Sequence, residues 1–126
     1  ELTFYSSVIQ QLFGVIWHSN HLGVMSAFPL ALSEGTYYYY FSTDENKVHS
    51  GSAGHKQLGT NVWGMFSGDG DANNTINNLD KTVVWTPNAG KKGYLKADFN
   101  RNGQVSNQDK NNYWLPNRNK SCQVPQ

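Results

Sequence analysis

The sequence predicts an α+β protein, in which a β-rich N-terminal module (sandwich-like or a small sheet) precedes a small α-helical pair of repeats. Two observations support this prediction. Residues 1–66 are rich in β-branched and aromatic residues, whereas residues 67–126 are rich in Asn, Asp, Lys and Gly. The second part also repeats itself at an offset of 29 residues, which separates Asp69 from Asp98. We therefore expect two units, 1–66 and 67–126.

Composition narrows the function classes. The chain has 126 residues and a net charge of +1, which predicts no strong attraction to nucleic acid or to anionic membranes. No apolar run reaches the roughly 18 residues that a membrane span needs. A single cysteine, Cys122, excludes an internal disulfide. Because the chain begins at Glu1, we expect a mature or excised part of a longer protein.

Several short segments of the first unit predict strands. They combine β-branched with aromatic residues, and they read LTFYSSVIQQ, FGVIWHS, LGVMSAF and TYYYYFST. The intervening HSNH, FPLALSEG and STDEN predict turns, and GSAGHKQLGTN predicts a loop. Alternate rings of residues 37–41 would point to opposite faces of a sheet, so we expect both faces to be partly covered.

Each repeat of the second unit predicts a short helix. Residues 78–85 and 107–114 can form about two helical turns each, and Pro87 and Pro116 are expected to end them. Trp85 and Trp114 occupy equivalent positions near the helix ends. Packing in the core is the favoured interpretation for both, ahead of a platform for sugars.

Before each helix lies a stretch of twelve residues whose spacing matches a calcium loop. Ca²⁺ takes 6–8 oxygen ligands, and a loop can supply them from positions 1, 3, 5, 7, 9 and 12, with a backbone carbonyl at position 7. In the first loop these positions hold Asp69, Asp71, Asn73, Thr75, Asn77 and Asp80. In the second they hold Asp98, Asn100, Asn102, Gln104, Ser106 and Asp109. The donors are oxygen atoms throughout, so Zn²⁺ and copper fit poorly.

The remaining loop positions support the same interpretation. Position 6 needs a sharp turn, and it holds Gly103 in the second loop and the tolerant Asn74 in the first. Position 8 is aliphatic in both loops, Ile76 and Val105, and we expect these side chains to pack together. We therefore predict two bound Ca²⁺ ions. The first loop has three carboxylates and the second has two, so we expect tighter binding in the first.

These repeats resemble the dockerin type I repeat, which carries two calcium loops, each followed by a helix, with Asp at position 12. The resemblance covers roughly residues 68–120. The segments NHLGVMS, GHKQL, VWGM and GYL.ADFN..GQV.NQDKN..W.PN, with the closing CQVP, are similar to a subgroup at the C-termini of large secreted or surface proteins of Bacteroidetes-like bacteria. The resemblance implies an extracellular or cell-surface location.

The resemblance also implies a protein partner, either cohesin-like or a surface scaffold. In dockerins the helix positions just after the ligands contact cohesin, often through a Ser/Thr pair. The corresponding positions here hold Asn78–Leu79 and Asn107–Gln108, so the Ser/Thr pair is absent, and Lys81 and Lys110 follow them. The resemblance therefore implies that Asn78, Lys81, Asn107 and Lys110 contact the partner.

No other group of residues predicts catalysis. The four histidines are better interpreted as structural or surface residues than as a metal site, and no serine lies in a nucleophile motif. We therefore expect a non-catalytic extracellular calcium-binding module for protein–protein docking or cell-surface anchoring. Two alternatives stay open. One is a self-assembling filament or surface-layer subunit, with LTFYSSVIQQ as a donor strand. The other is an accessory domain of a secreted glycan-active enzyme.

Overall fold

The computed structural model describes residues 11–125, so the segment LTFYSSVIQQ, apart from Gln11, lies outside the described residues. Within this range, six short strands form three antiparallel hairpins. They pair β1 (Val15–His18) with β2 (His21–Met25), β3 (Ala31–Ser33) with β4 (Thr36–Tyr38), and β5 (Lys56–Gly59) with β6 (Val62–Gly64). Short 3₁₀ turns lie at Glu45–Lys47 and Gly51–Ala53. The coarse α+β prediction is confirmed.

Strand β2 organises the N-terminal module. It pairs with β1 on one edge, and on the other edge the Leu22 N–H donates to the Phe66 carbonyl at 2.8 Å. Further along, the His49 N–H donates to the Met25 carbonyl at 2.8 Å. The middle of β2 is buried, whereas β1 is exposed along its whole length. The first hairpin therefore consists of one largely buried strand and one exposed edge strand.

Two strands lie where the sequence predicted turn or loop. β3 falls within FPLALSEG and β5 falls within GSAGHKQLGTN. The turn between β3 and β4 has φ of +50° at Glu34 and +79° at Gly35, and two successive positive values are the signature of the tight hairpin turn that suits twisted strands. Only Tyr39 and Phe41 of the aromatic run are half-buried, whereas Tyr37, Tyr38 and Tyr40 are exposed and the last two contact each other.

The two repeat helices are longer than predicted. The first repeat helix spans residues 78–88 and the second spans residues 107–117. Each has a π-helical centre, Asp80–Trp85 or Asp109–Trp114, followed by one α-helical turn, Thr86–Asn88 or Leu115–Asn117. A proline has no N–H and its ring clashes with the carbonyl four residues earlier. The wide π turn accommodates it, so both prolines lie inside the helices rather than after them.

One hydrophobic core joins the N-terminal module to the repeats. Its buried members from the module are Leu22 and Phe66. Those from the repeats are Ile76, Trp85, Ala97, Phe99, Val105 and Trp114. The half-buried Cys122 packs against this cluster as a free thiol. Among the described residues, no helix is long and apolar enough to cross a membrane.

Candidate metal centre

The first loop folds around its two buried carboxylates. Asp69 accepts hydrogen bonds from the backbone N–H groups of Asn73 (3.1 Å) and Asn74 (3.0 Å). Asp80 accepts from the N–H groups of Asp71 (3.2 Å) and Asn77 (2.8 Å). The residues at positions 1 and 12 therefore hold the loop from opposite ends, and both are at most 2% exposed.

The second loop repeats this arrangement bond for bond. Asp98 accepts from the N–H groups of Asn102 (3.1 Å) and Gly103 (2.8 Å). Asp109 accepts from those of Asn100 (3.0 Å) and Ser106 (2.8 Å). Each pair lies 29 residues beyond its counterpart in the first loop, so two different sequences with the same polar pattern adopt the same local structure.

Short polar side chains at alternating positions shape the rest of each loop. They accept hydrogen bonds from the backbone N–H two residues ahead, the bond that makes Asx and Ser turns. The acceptors are Asp71, Asn73 and Asn77 in the first loop, and Asn100, Asn102 and Ser106 in the second. At position 6, Asn74 and Gly103 have φ of +73° and +91°, as the sharp turn requires.

Negative charge is concentrated in the first loop. One oxygen each of Asp69, Asp71 and Asp80 lie within 4.8 Å of one another. Burial raises the pKa of Asp69, and the nearby Asp80 carboxylate adds to the rise while backbone N–H donors oppose it. Burial likewise raises the pKa of Asp80, with a contribution from Asp71. A divalent cation would offset this repulsion, and a donor set made of oxygen atoms fits a hard ion such as Ca²⁺.

The second loop has the same framework with less charge. Asn100 takes the place that Asp71 occupies, so two carboxylates remain. Thr75 and Gln104, at position 7, form isolated antiparallel bridges with Ser121 and Lys92. These bridges belong to a crosswise pairing of the two repeats.

The crosswise pairing joins each loop to the segment that follows the other repeat's helix. Around Ile76, the backbone N–H donates to the Lys120 carbonyl (2.8 Å) and the carbonyl accepts from the Asn119 N–H (2.7 Å). Around Val105, the N–H donates to the Lys91 carbonyl and the carbonyl accepts from the Gly90 N–H, both at 2.8 Å. Ile76 and Val105 are fully buried in one core cluster, in agreement with the prediction that they pack together.

The tryptophans reinforce the same pairing. The Trp85 Nε1–H donates to the Ser106 carbonyl at 3.0 Å, and the Trp114 Nε1–H donates to the Asn77 carbonyl at 2.9 Å. Each tryptophan thus bonds to position 9 of the other repeat's loop. This observation explains their burial and favours the predicted core role over a sugar platform.

Asn20 connects the N-terminal module to both loops, a role that was not predicted from the sequence. It is fully buried, and its carbonyl accepts from the Gly68 and Asp69 N–H groups at 3.0 and 3.2 Å. Its side-chain Nδ2 donates to the carbonyls of Lys96 and Asp98, both at 3.0 Å. Asn20 therefore contacts the first residue of both loops. HSNH signals only a turn, because the partners lie up to 78 residues away.

We expect Asn20→Ala to lower the free energy of unfolding by about 2–4 kcal/mol, because the buried Asp98 carbonyl and the partly buried Lys96 carbonyl both lose their donor, at about 1–3 kcal/mol for a buried group. Chemical denaturation in the presence of calcium measures this. The exposed Asn111→Ala on the second repeat helix is the matched control and should change stability by less than about 0.5 kcal/mol. Equal effects of the two substitutions would contradict the role assigned to Asn20.

The predicted partner residues divide into two kinds. Asn78 and Asn107 are exposed at the start of their helices. Lys81 and Lys110 are half-buried, and their ammonium groups lie 5.8 and 4.7 Å from the ring centres of Trp114 and Trp85. The lysines therefore also stabilise the pairing of the repeats through cation–π contacts.

The outer faces of the two repeat helices differ in chemistry. The first presents the apolar side chains Leu79 and Val83, which are 51% and 61% exposed. The equivalent positions of the second helix are Gln108 and Asn112. The pseudo-symmetry of the backbone is therefore not matched by symmetry of the surface.

No family model, no curated protein and no solved structure matches this chain.

Proposed function

We propose that this chain is a non-catalytic extracellular module that binds two Ca²⁺ ions and serves in protein–protein docking or cell-surface anchoring. One observation carries the proposal. Two loops 29 residues apart share the same carboxylate-to-backbone hydrogen bonds, and one of them gathers three carboxylates within 4.8 Å.

The residues that would hold the ions are those at positions 1, 3, 5, 7, 9 and 12 of each loop. Bound calcium supplies positive charge that removes the mutual repulsion of the carboxylates. The chain itself holds the carboxylates and the loops in position. Backbone N–H donors orient Asp69 and Asp80, and the crosswise strand pairing ties each loop to the other repeat. Ion binding therefore becomes folding free energy for the whole repeat pair.

Calcium should raise the midpoint of thermal unfolding by about 15 °C or more relative to chelator. At a free concentration a hundred times the dissociation constant, each site contributes about 2.7 kcal/mol, and each kcal/mol shifts the midpoint by several degrees in a chain of this size. Thermal unfolding and isothermal titration calorimetry measure the shift and the stoichiometry, which should be two.

Magnesium is the control for that measurement. Mg²⁺ demands near-ideal octahedral geometry and gives up its waters reluctantly, so it should stabilise the chain much less at equal concentration. Identical unfolding curves in calcium and chelator, with no heat of binding, would overturn the proposed function.

Self-assembly is a second candidate, favoured by exposed apolar side chains in the first two hairpins and just after them. Trp17, Leu32 and Tyr40 are 56–66% exposed. Such a surface suits contact with another chain. Light scattering in calcium distinguishes the two candidates, since a monomer favours docking and a calcium-dependent oligomer favours assembly.

A further inference from the structure

A cleft of about 220 Å³ lies where the N-terminal module meets the second repeat. Strand β5 contributes Lys56 to its wall, and the second loop contributes Arg101 at position 4. The second repeat helix contributes Asn112 and Tyr113. Ligand sites form preferentially at such junctions between structural units. The spacing of the calcium loops does not predict this cleft, because the residues that line it come from distant parts of the chain.

The cleft is positively charged. No carboxylate lines it, and neither Lys56 nor Arg101 forms an ion pair within residues 11–125. Lys56 uses one of its three N–H donors on the Asn117 side-chain oxygen at 2.9 Å. His21 also lines the cleft. Burial, together with the positive fields of His18 and Arg101, lowers the His21 pKa to about 4, so this ring is neutral at pH 7.

The other groups of the cleft suit a small ring that carries hydroxyls. Asn112 is exposed and makes no hydrogen bond to the described residues, so its amide can both donate and accept. The ring of Tyr113 is 38% exposed, and Leu58 adds an apolar surface. The small volume of the cleft suits an occupant with a single compact ring.

We propose that this cleft binds an acidic monosaccharide of the hexuronate type. The guanidinium of Arg101 offers the planar pair of donors that a carboxylate accepts, and Lys56 provides the second charge. Amide groups recognise the ring hydroxyls, and the Tyr113 ring packs against the sugar's apolar face. The proposal does not rest on the proposed calcium function, although Phe99, Asn100 and Arg101 belong to both the cleft and the second loop.

Titration of the full chain with glucuronate, followed by amide chemical shifts in two-dimensional NMR spectra, tests the proposal. Shifts should concentrate at residues 56–58, 99–101 and 112–113. Glucose, which lacks the carboxylate, should bind at least tenfold more weakly, and inorganic phosphate, which lacks the ring, should do the same. Measurement in calcium and again in chelator separates this site from ion binding in the second loop.

Two variants sharpen the test. Arg101→Ala reproduces the residue at the equivalent position of the first loop, Ala72, where φ is +57° against +62° at Arg101, so the backbone tolerates the change. Lys56→Gln removes the other charge. Each should weaken glucuronate binding at least fivefold, whereas Lys92→Gln, an exposed lysine outside the cleft, should leave it unchanged. Equal binding of phosphate and glucuronate, or no loss in Arg101→Ala, would overturn the proposal.

Discussion

Exchanging one charge between the loops, through Asp71→Asn and Asn100→Asp, should reverse the order in which they fill with calcium. The two loops share their hydrogen-bond framework, so position 3 is the main difference in ligand charge between them. Calcium affinity in such loops depends on the count of charged ligands and on loop rigidity. We expect each substitution to change the affinity of its own loop by about tenfold or more, ~1.4 kcal/mol per decade.

In chelator, each of these substitutions should change the stability of the chain in the direction opposite to its effect on calcium affinity. Asp71 is partly exposed and adds to the repulsion that raises the pKa of Asp80. Asp71→Asn should therefore stabilise the ion-free chain, and Asn100→Asp should destabilise it. If Asp71→Asn binds calcium more weakly and is nevertheless more stable in chelator, misfolding does not explain its weaker binding.

The amide resonances of Asn74 and Gly103 report each loop separately, because these N–H groups donate to Asp69 and Asp98. Following both signals through a calcium titration gives the order of filling. Asp44→Asn is the matched control, since Asp44 lies in the N-terminal module and caps a 3₁₀ turn through a bond that an asparagine can also accept. An unchanged order of filling in the exchanged variants would contradict the charge argument.

The loops could be predicted from sequence because their structure is local. Every carboxylate-to-backbone bond of the first loop spans at most nine residues, so the polar spacing contains the necessary information. Position 12 reaches back to position 3 within the same twelve residues. The second copy of the loop strengthens the prediction, because equivalent residues satisfy the same constraints twice.

The hairpins were harder to predict because short exposed strands carry a weak pattern. β5 contains Lys56, Gln57 and Gly59, which are not typical strand residues, and its stability comes from pairing with β6. For β3 and β4 a signal existed in Glu34–Gly35, whose positive φ values make the tight turn. The role of Asn20 could not be predicted at all, because its partners in the second loop are distant in sequence.

The predicted helix ends were wrong because the helices widen into a π turn before their prolines. A proline predicts a stop when the helix around it is an ordinary α-helix. Here the Thr86 N–H bonds to the Lys81 carbonyl, five residues back, and the Leu115 N–H bonds to the Lys110 carbonyl in the same way. The widened turn makes room for Pro87 and Pro116 inside the helices. No residue pattern before either proline predicts such a turn.

Replacing Trp114 with alanine should cost about 3–5 kcal/mol of unfolding free energy, the usual loss for a large core aromatic. The ring is 4% exposed and belongs to the core cluster that joins both repeats to the N-terminal module. Denaturation in saturating calcium measures this loss. The exposed Trp17→Phe, at 56% exposure, is the control and should change stability by less than about 1 kcal/mol.

The conservative variants test the crosswise pairing itself. Trp114→Phe keeps most of the apolar area but removes the Nε1–H bond to the Asn77 carbonyl, at a cost of about 1 kcal/mol. Because that carbonyl belongs to the first loop, calcium affinity should fall there and stay unchanged in the second loop. Trp85→Phe removes the bond to Ser106 and should do the reverse. If each variant instead lowered the calcium affinity of the loop in its own repeat, the tryptophans would act through their own helices. The proposal that each tryptophan supports the other repeat's loop through its Nε1–H bond would then be wrong.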